Sequence, residues 1–297
     1  MKKTESVSAG AVILAGVLWG CISIFIRHLD AGGFDSFQIA WVRMVMATLL
    51  FGAYVLLTDP QKLRIRLCDV WMFIGTGIVS VVLFNISYFY TMTHTDASVA
   101  VVLLYTSPVF IMLMSAFLFK ERITPLKTVA LVLTVGGCVL VAGLLGGSYQ
   151  IPPFCILTGL GAGLFYALYT IFGRYALVKY DTVTVTFYTF FFGLIGSSPL
   201  GKIGQTVTAF KADPILLLWG AGIGLVSTVL PYFLYTWGLQ RMDSGKAAIL
   251  VAVEPLVGAV IGMTVYHESH EFLKIVGMVL IFAAIILLNL PARKNTE

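Results

Sequence analysis

Charge is what this chain has least of. Asp, Glu, Lys and Arg make up 11% of its 297 residues, against about 25% in soluble domains. A soluble fold of this length needs a polar surface that such a composition cannot supply. With 59% of residues hydrophobic, the solvent has to be lipid. Cysteine is sparse too. Cys21, Cys68, Cys138 and Cys155 are scattered without CxxC or metal-ligand spacing, and read as small apolar filler. There is no Walker motif, dinucleotide fingerprint or HExxH, so no cofactor is expected and ATP is not the driver of any work done.

What is present is long apolar runs. A membrane-crossing helix needs about 20 mostly apolar residues. Ten candidates occur, near 10–27, 36–57, 70–92, 97–119, 127–146, 154–173, 182–200, 215–238, 244–266 and 272–290; they are numbered spans 1 to 10. The connections between them run to about a dozen residues, too short for a catalytic or nucleic-acid-binding module. The expected class is an all-α integral membrane protein. The first run follows Lys2 and Lys3 but is longer than a signal-peptide core and leads into another span, so it reads as an uncleaved first helix.

Basic residues favour the cytoplasmic side of a membrane. With the N-terminus inside, fourteen of the nineteen Lys and Arg residues fall on inner segments. Four (Arg27, Lys202, Lys211 and Lys274) fall outside, and Arg43 lies within span 2. Both termini are therefore expected to be cytoplasmic. The pI near 9.0 reflects this topology and not a nucleic-acid partner.

The chain also repeats itself. Shifted by 147 residues, "GTGIVSVVL" (75–83) lies on "GIGLVSTVL" (222–230). In the same register Gly16 meets Gly163, Arg27 meets Arg174, Tyr88 meets Tyr235, Asp96 meets Asp243, Pro108 meets Pro255 and Glu121 meets Glu268. Charges, prolines and glycines holding one register indicate a duplication, with halves at 1–147 and 148–297. Five spans per half is an odd number, so the halves enter the membrane from opposite sides. Two inverted five-helix repeats are a secondary-transporter architecture.

The chain resembles the EamA-type transporters of the drug/metabolite transporter superfamily. The resemblance rests on "LAGVLWG" (14–20), "WVRMVMATLL" (41–50), "TSPVFIMLMSAFLFKERIT" (106–124) and "EPLVGAVIGMTVYHE" (254–268). Family members often carry Gly before the closing Glu, where this chain has Lys120 and His267. The resemblance implies a bacterial-type inner-membrane carrier, an exporter of amino acids or related small metabolites working by alternating access. It also implies that spans 1, 3, 4, 6, 8 and 9 surround a central cavity.

Glu254 lies roughly 15 Å into span 9, near mid-membrane, where ionisable groups usually face a polar cavity or a partner. It is the candidate substrate or proton site; the structural alternative is a protonated acid bonding a carbonyl freed by Pro255. Ser107-Pro108 is its counterpart in the first half, and Pro108 and Pro255 are candidate hinges. Arg43 is either an anion contact in the outer vestibule or a snorkelling or backbone-clamping residue. Trp19, Asn85, Tyr88, Tyr105, Tyr166, Tyr232 and Tyr235 are candidate walls of an aromatic cavity, which suits an amphipathic metabolite better than a phosphate; each is equally a residue type that packs cores. Tyr90 and Trp237 suit aromatic belts. "HESHE" (267–271) reads as a loop, so no metal is expected. The expected partners are a small-molecule substrate, the lipid bilayer and protons. A passive facilitator or channel, and a membrane-embedded enzyme, are the alternatives; the peripheral histidines and single midplane acid do not assemble a catalytic cluster.

Overall fold

The computed structural model describes residues 2–95, 97–143, 151–267 and 271–289, and they form helices throughout. Nine helices are long and apolar enough to cross a membrane, and Pro125–Val141 is a shorter apolar tenth. These are the ten expected spans. Their observed limits are Ser6–Ala31, Ser36–Thr58, Leu67–His94, Val99–Phe119, Pro125–Val141, Pro153–Leu177, Thr182–Leu200, Ile215–Leu239, Ser244–Val265 and Phe272–Asn289. The sequence-predicted end of span 5 at 146, the repeat boundary at 147, Asp96, Glu268 and most of the 267–271 loop lie outside the described residues. An additional short helix, Ile203–Ala212, fills the connection between spans 7 and 8.

The packing follows the repeat. Span 3 packs on span 6, and its repeat mate span 8 on span 1. Span 7 lies on span 3 as span 2 lies on span 8, and span 1 meets span 9 as span 6 meets span 4. Spans 2 and 7, 4 and 9, and 5 and 10 pair with their own mates. The duplication is thus written into the contacts, and most of them join one half to the other. Outward faces carry large apolar side chains such as Leu57, Phe117 and Val132, as a lipid-facing surface must.

Polar ties repeat the same two-fold logic. Asp35 caps span 2 in a capping box with Gln38 and pairs with Lys202 at 2.7 Å, just beyond span 7. Asp181 caps span 7 and pairs with Lys62 at 3.1 Å, just beyond span 2. Burial works against ionisation of both acids. The hydrogen bonds from Lys202 and the Gln38 amide outweigh it at Asp35, and those from Thr184 and Lys62 outweigh it at Asp181. Both carboxyls are held below the usual carboxylate range.

Candidate functional site

Spans 1, 3, 4, 8 and 9 are interrupted; span 1 breaks at Cys21, and the other four are interrupted in repeat-related pairs around the site. Span 4 is broken into Ala97–Leu104 and Ser107–Phe119. Span 9 is broken into Ser244–Val251 and Val253–Val265 at Ala252. The breaks occur just before the prolines. Pro108 and Pro255 therefore sit in the first turn of each second half, where a missing N–H costs nothing. A proline has no N–H for the carbonyl four residues back and its ring crowds that carbonyl, which is why the first halves stop at Leu104 and Val251, four residues before Pro108 and Pro255. Spans 3 and 8 are irregular in another way. Gly75–Val82 and Leu225–Val229 are π-helical, a rare widening that concentrates at functional sites. Ser80 donates to the Gly75 carbonyl at 2.7 Å and Thr228 to the Ile223 carbonyl at 2.9 Å, each five residues back. Ser227, the repeat mate of Ser80, donates instead to the Leu18 carbonyl in span 1 at 3.1 Å.

Two glycines let spans 1 and 6 press against the breaks. A Cβ on Gly16 would lie 2.6 Å from the Val251 carbonyl oxygen, and one on Gly163 would lie 3.0 Å from that of Leu103. Each half thus backs the broken helix of the other, at repeat-equivalent positions.

Between these elements lies a cavity of about 400 Å³, within the range of small-ligand sites. Trp19, Tyr88, Tyr105, Glu254 and Pro255 line it at depth, and it extends past Met263 to Lys274 at the start of span 10. Two smaller voids share lining residues with it. One of about 10 Å³ runs between the two breaks and is lined by Tyr105, Ser107, Pro108, Tyr166 and Glu254. The other, of about 20 Å³, is lined by Trp19, Tyr166, Tyr232 and Tyr235.

The structure therefore brings together most of the residues singled out in the sequence. Glu254 joins two of the voids, and its carboxyl makes no hydrogen bond or ion pair among the described residues. The hydroxyls of Tyr88, Tyr105, Tyr166, Tyr232 and Ser107 and the indole N–H of Trp19 are likewise unpaired among the described residues. Trp19 meets Tyr232 edge-on at 5.1 Å, and Tyr166 meets Phe84 edge-on at 5.7 Å. Polar groups gathered around a void without partners are groups awaiting a ligand or water.

Three candidates are placed differently. Tyr235 spends its hydroxyl on Thr170 at 2.7 Å, beside a Tyr169–Thr236 bond at 2.6 Å, so it knits spans 6 and 8 together beneath the cavity. Asn85 donates its amide to the Val81 carbonyl in its own helix. Arg43 lies off the wall of the main cavity and donates Nε to Thr228 at 3.2 Å in the π-helical turn of span 8. Cys138, which reads as filler in the sequence, belongs to the cavity wall; no spacing marks it. Tyr90 stacks on His94, and Trp237 lies under Arg241, both at span ends.

The end opposite Lys274 is closed. Glu121, at the end of span 4, accepts hydrogen bonds from the Ser244 amide and hydroxyl, both at 2.9 Å, and from the Gly245 amide at 3.3 Å. It caps the first half of span 9 from the other repeat. Arg174, at the end of span 6, lies 3.5 Å from Glu121 and donates to the Met242 carbonyl at 2.7 Å. Lys127 pairs with Asp243 at 2.8 Å. The sequence signal for this closure was the repeat register of Glu121 and Arg174, which topology counting treats only as loop charge.

A cavity between the two halves of a multi-span chain, tied shut by polar contacts at one end, suits a multi-pass membrane transporter. The chain belongs to the EamA-like transporter family, whose profile matches residues 7–143 and again 153–290. It is 27% identical over 288 residues to an uncharacterized transporter of Archaeoglobus fulgidus, covering 93% of this chain and 94% of that one. It is 24% identical to the uncharacterized transporter YxxF of Bacillus subtilis, covering 96% and 90%. It is 23% identical to the uncharacterized inner membrane transporter YicL of Salmonella typhimurium, covering 96% of each. A protein crystal structure superposes with a TM-score of 0.78 over 95% of this chain and 96% of that one, at 16% identity, which shows a shared fold.

Proposed function

We propose that the protein is a secondary transporter of the bacterial inner membrane that exports amino acids or related small amphipathic metabolites by alternating access, with Glu254 exchanging a proton for substrate. The observation that carries this reading is the unpaired Glu254 carboxyl at the meeting point of the voids, ringed by unpaired aromatic hydroxyls. A carboxyl there can hold a proton or a substrate ammonium group but not both, which couples their movements. Aromatic faces beside it favour a cationic nitrogen on an apolar body. The charge asymmetry of the loops supports cytoplasmic termini, and the relative in Salmonella named for the inner membrane supports the location. In that orientation the Lys274 end of the cavity faces outward.

The test is uptake into proteoliposomes. Labelled amino acids and other small metabolites are screened with and without an imposed pH gradient, for the wild type and for Glu254→Gln. The expected result is gradient-dependent movement that Glu254→Gln abolishes while the protein stays folded. A Glu254→Gln protein that transports normally would end the assignment of Glu254. Movement indifferent to the gradient would make the protein a passive facilitator or exchanger.

A further inference from the structure

The cavity has an unspent charge toward each end. Glu254 lines it at depth, and Lys274 stands at its mouth. Neither makes a hydrogen bond or ion pair among the described residues. For Lys274 this departs from the repeat. Its mate Lys127, the third residue of the helix Pro125–Val141, is spent on Asp243 at 2.8 Å. Lys274 is the third residue of Phe272–Asn289, where a cation is set against the positive end of the helix dipole. A cation held there without a counter-ion, on the wall of a cavity, favours an anion brought in by a ligand.

The two charges are well separated. Glu254 and Met263 line the cavity from one helix, Val253–Val265, and the rise from one to the other is about 13 Å. Met263 and Lys274 flank the same connection between spans 9 and 10. The lysine stem shortens the gap, leaving the charges on the order of 10 Å apart. A free α-amino acid carries its ammonium and carboxylate on one carbon and cannot meet both. An extended peptide advances about 3.3–3.6 Å per residue, so two or three residues bridge the gap. The wall between suits a peptide backbone. The Ser23 hydroxyl is buried without a partner, and the Trp19 indole N–H and Tyr88 hydroxyl are unpaired among the described residues. All three line the cavity and replace the hydrogen bonds that peptide amides lose on leaving water. Val101, Leu104 and Ala259 make the neighbouring wall apolar, as small apolar side chains require.

We propose that Lys274 is a second binding point, for the substrate's carboxylate, and that the substrate is a peptide of two or three residues with both termini free. The proposal rests on the reading in which Glu254 takes the substrate's ammonium group, and it narrows the substrate class of that reading. The test is equilibrium binding to detergent-purified protein at neutral pH, with trialanine, its C-terminal amide, N-acetyltrialanine and free alanine as probes. The wild type is expected to bind trialanine at least tenfold more tightly than each of the other three. Lys274→Gln should bring trialanine and its amide within twofold of each other while N-acetyltrialanine stays at least fivefold weaker. Lys274→Arg, which keeps the charge, should restore the preference over the amide. Glu254→Gln should do the converse, removing the N-acetyl penalty and keeping the amide penalty. A residue that only shaped the mouth would weaken all four probes alike. An amide penalty that survives in Lys274→Gln, alanine bound as tightly as trialanine, or no binding of any peptide would overturn the proposal. If in those cases labelled amino acids still move with a pH gradient and Glu254→Gln abolishes it, the role of Glu254 stands without Lys274. An N-acetyl penalty that persists in Glu254→Gln would overturn both.

Discussion

Spans 5 and 10 cross with backbone against backbone, and two neighbouring glycines test what that closeness is worth. A Cβ on Gly137 would lie 2.7 Å from the Gly277 carbonyl oxygen and 3.2 Å from the Ile281 nitrogen. Ordinary contact begins near 3.4 Å, so Gly137→Ala has to push the helices apart by about 0.7 Å or tilt one of them, an overpacking cost of about 1–3 kcal/mol. Gly136, one residue earlier in the same helix, has nothing within 4 Å of its added Cβ. Both substitutions gain the same helix propensity, about 1 kcal/mol, so the gain cancels when the two variants are compared. The assay is reversible unfolding by SDS in mixed micelles. Gly137→Ala should be less stable than Gly136→Ala by about 1–3 kcal/mol, and Gly136→Ala should equal or exceed the wild type. Gly277→Ala strains the same gap from the other side, 2.6 Å from the Gly137 carbonyl oxygen. Once one methyl has opened the crossing the second finds room, so the double variant should cost less than the two single costs added together. A Gly137→Ala protein as stable as Gly136→Ala would refute the argument that carbonyl proximity sets the crossing.

Other outcomes follow from the same contacts. Asp35→Asn removes the Lys202 pair and weakens a cap, and should lower stability by about 1 kcal/mol near neutrality. Because the folded Asp35 carboxyl titrates below the ordinary value of about 3.9, the contribution of its ionised form is complete above that pH. It is lost as pH falls through the lowered folded value, so the melting temperatures of wild type and Asp35→Asn should draw together as pH falls below about 4; a gap that does not narrow with falling pH would contradict the pairing. Tyr235→Phe deletes a buried hydrogen bond to Thr170 and should destabilise by about 1 kcal/mol or more. Tyr88→Phe removes a hydroxyl with no partner among the described residues and should leave stability unchanged while altering substrate affinity, measured by binding to purified protein. Reversal of that pattern would move Tyr88 out of the site and Tyr235 into it.

The spans were legible because lipid demands unbroken apolar runs. The two-fold plan was legible because Gly16, Pro108, Arg174 and Glu121 keep one register with their mates. The prolines marked the breaks to within about three residues, since the carbonyl they leave without a partner lies four residues before them. What stayed hidden is pairing across the repeats. Glu121 and Arg174 look like loop charges until the fold brings the turn at Met242 between them. Asp35 and Asp181 play one role but stand one residue off the common offset, because span 6 ends at Leu177, one residue before the position that matches Ala31 at the end of span 1. Arg43 is visible as a charge in an apolar run, but only the π-helical turn of span 8 decides that Thr228 receives it. Tyr88 and Tyr235 are equivalent in sequence, and the structure separates them by their hydroxyl partners: Thr170 for one, none among the described residues for the other.

The π-helical turns also set a phase. An α-helix advances about 100° per residue, and a widened turn holds one residue more than an α-helical turn in the same length. Every side chain beyond Gly75–Val82 therefore owes its bearing to that surplus, Tyr88 on the cavity wall among them. Every side chain beyond Leu225–Val229 does too, including Tyr232 and Tyr235. Winding the same residues of either segment as plain α-helix would lengthen the span by only about 1.5 Å and leave its hydropathy untouched. It would nonetheless swing all that follows through more than a quarter of a turn, taking Tyr88 off the wall or Tyr235 away from Thr170. Two short stretches that a hydropathy profile passes over thus act as the keyway that aligns the aromatic lining with the acid it surrounds.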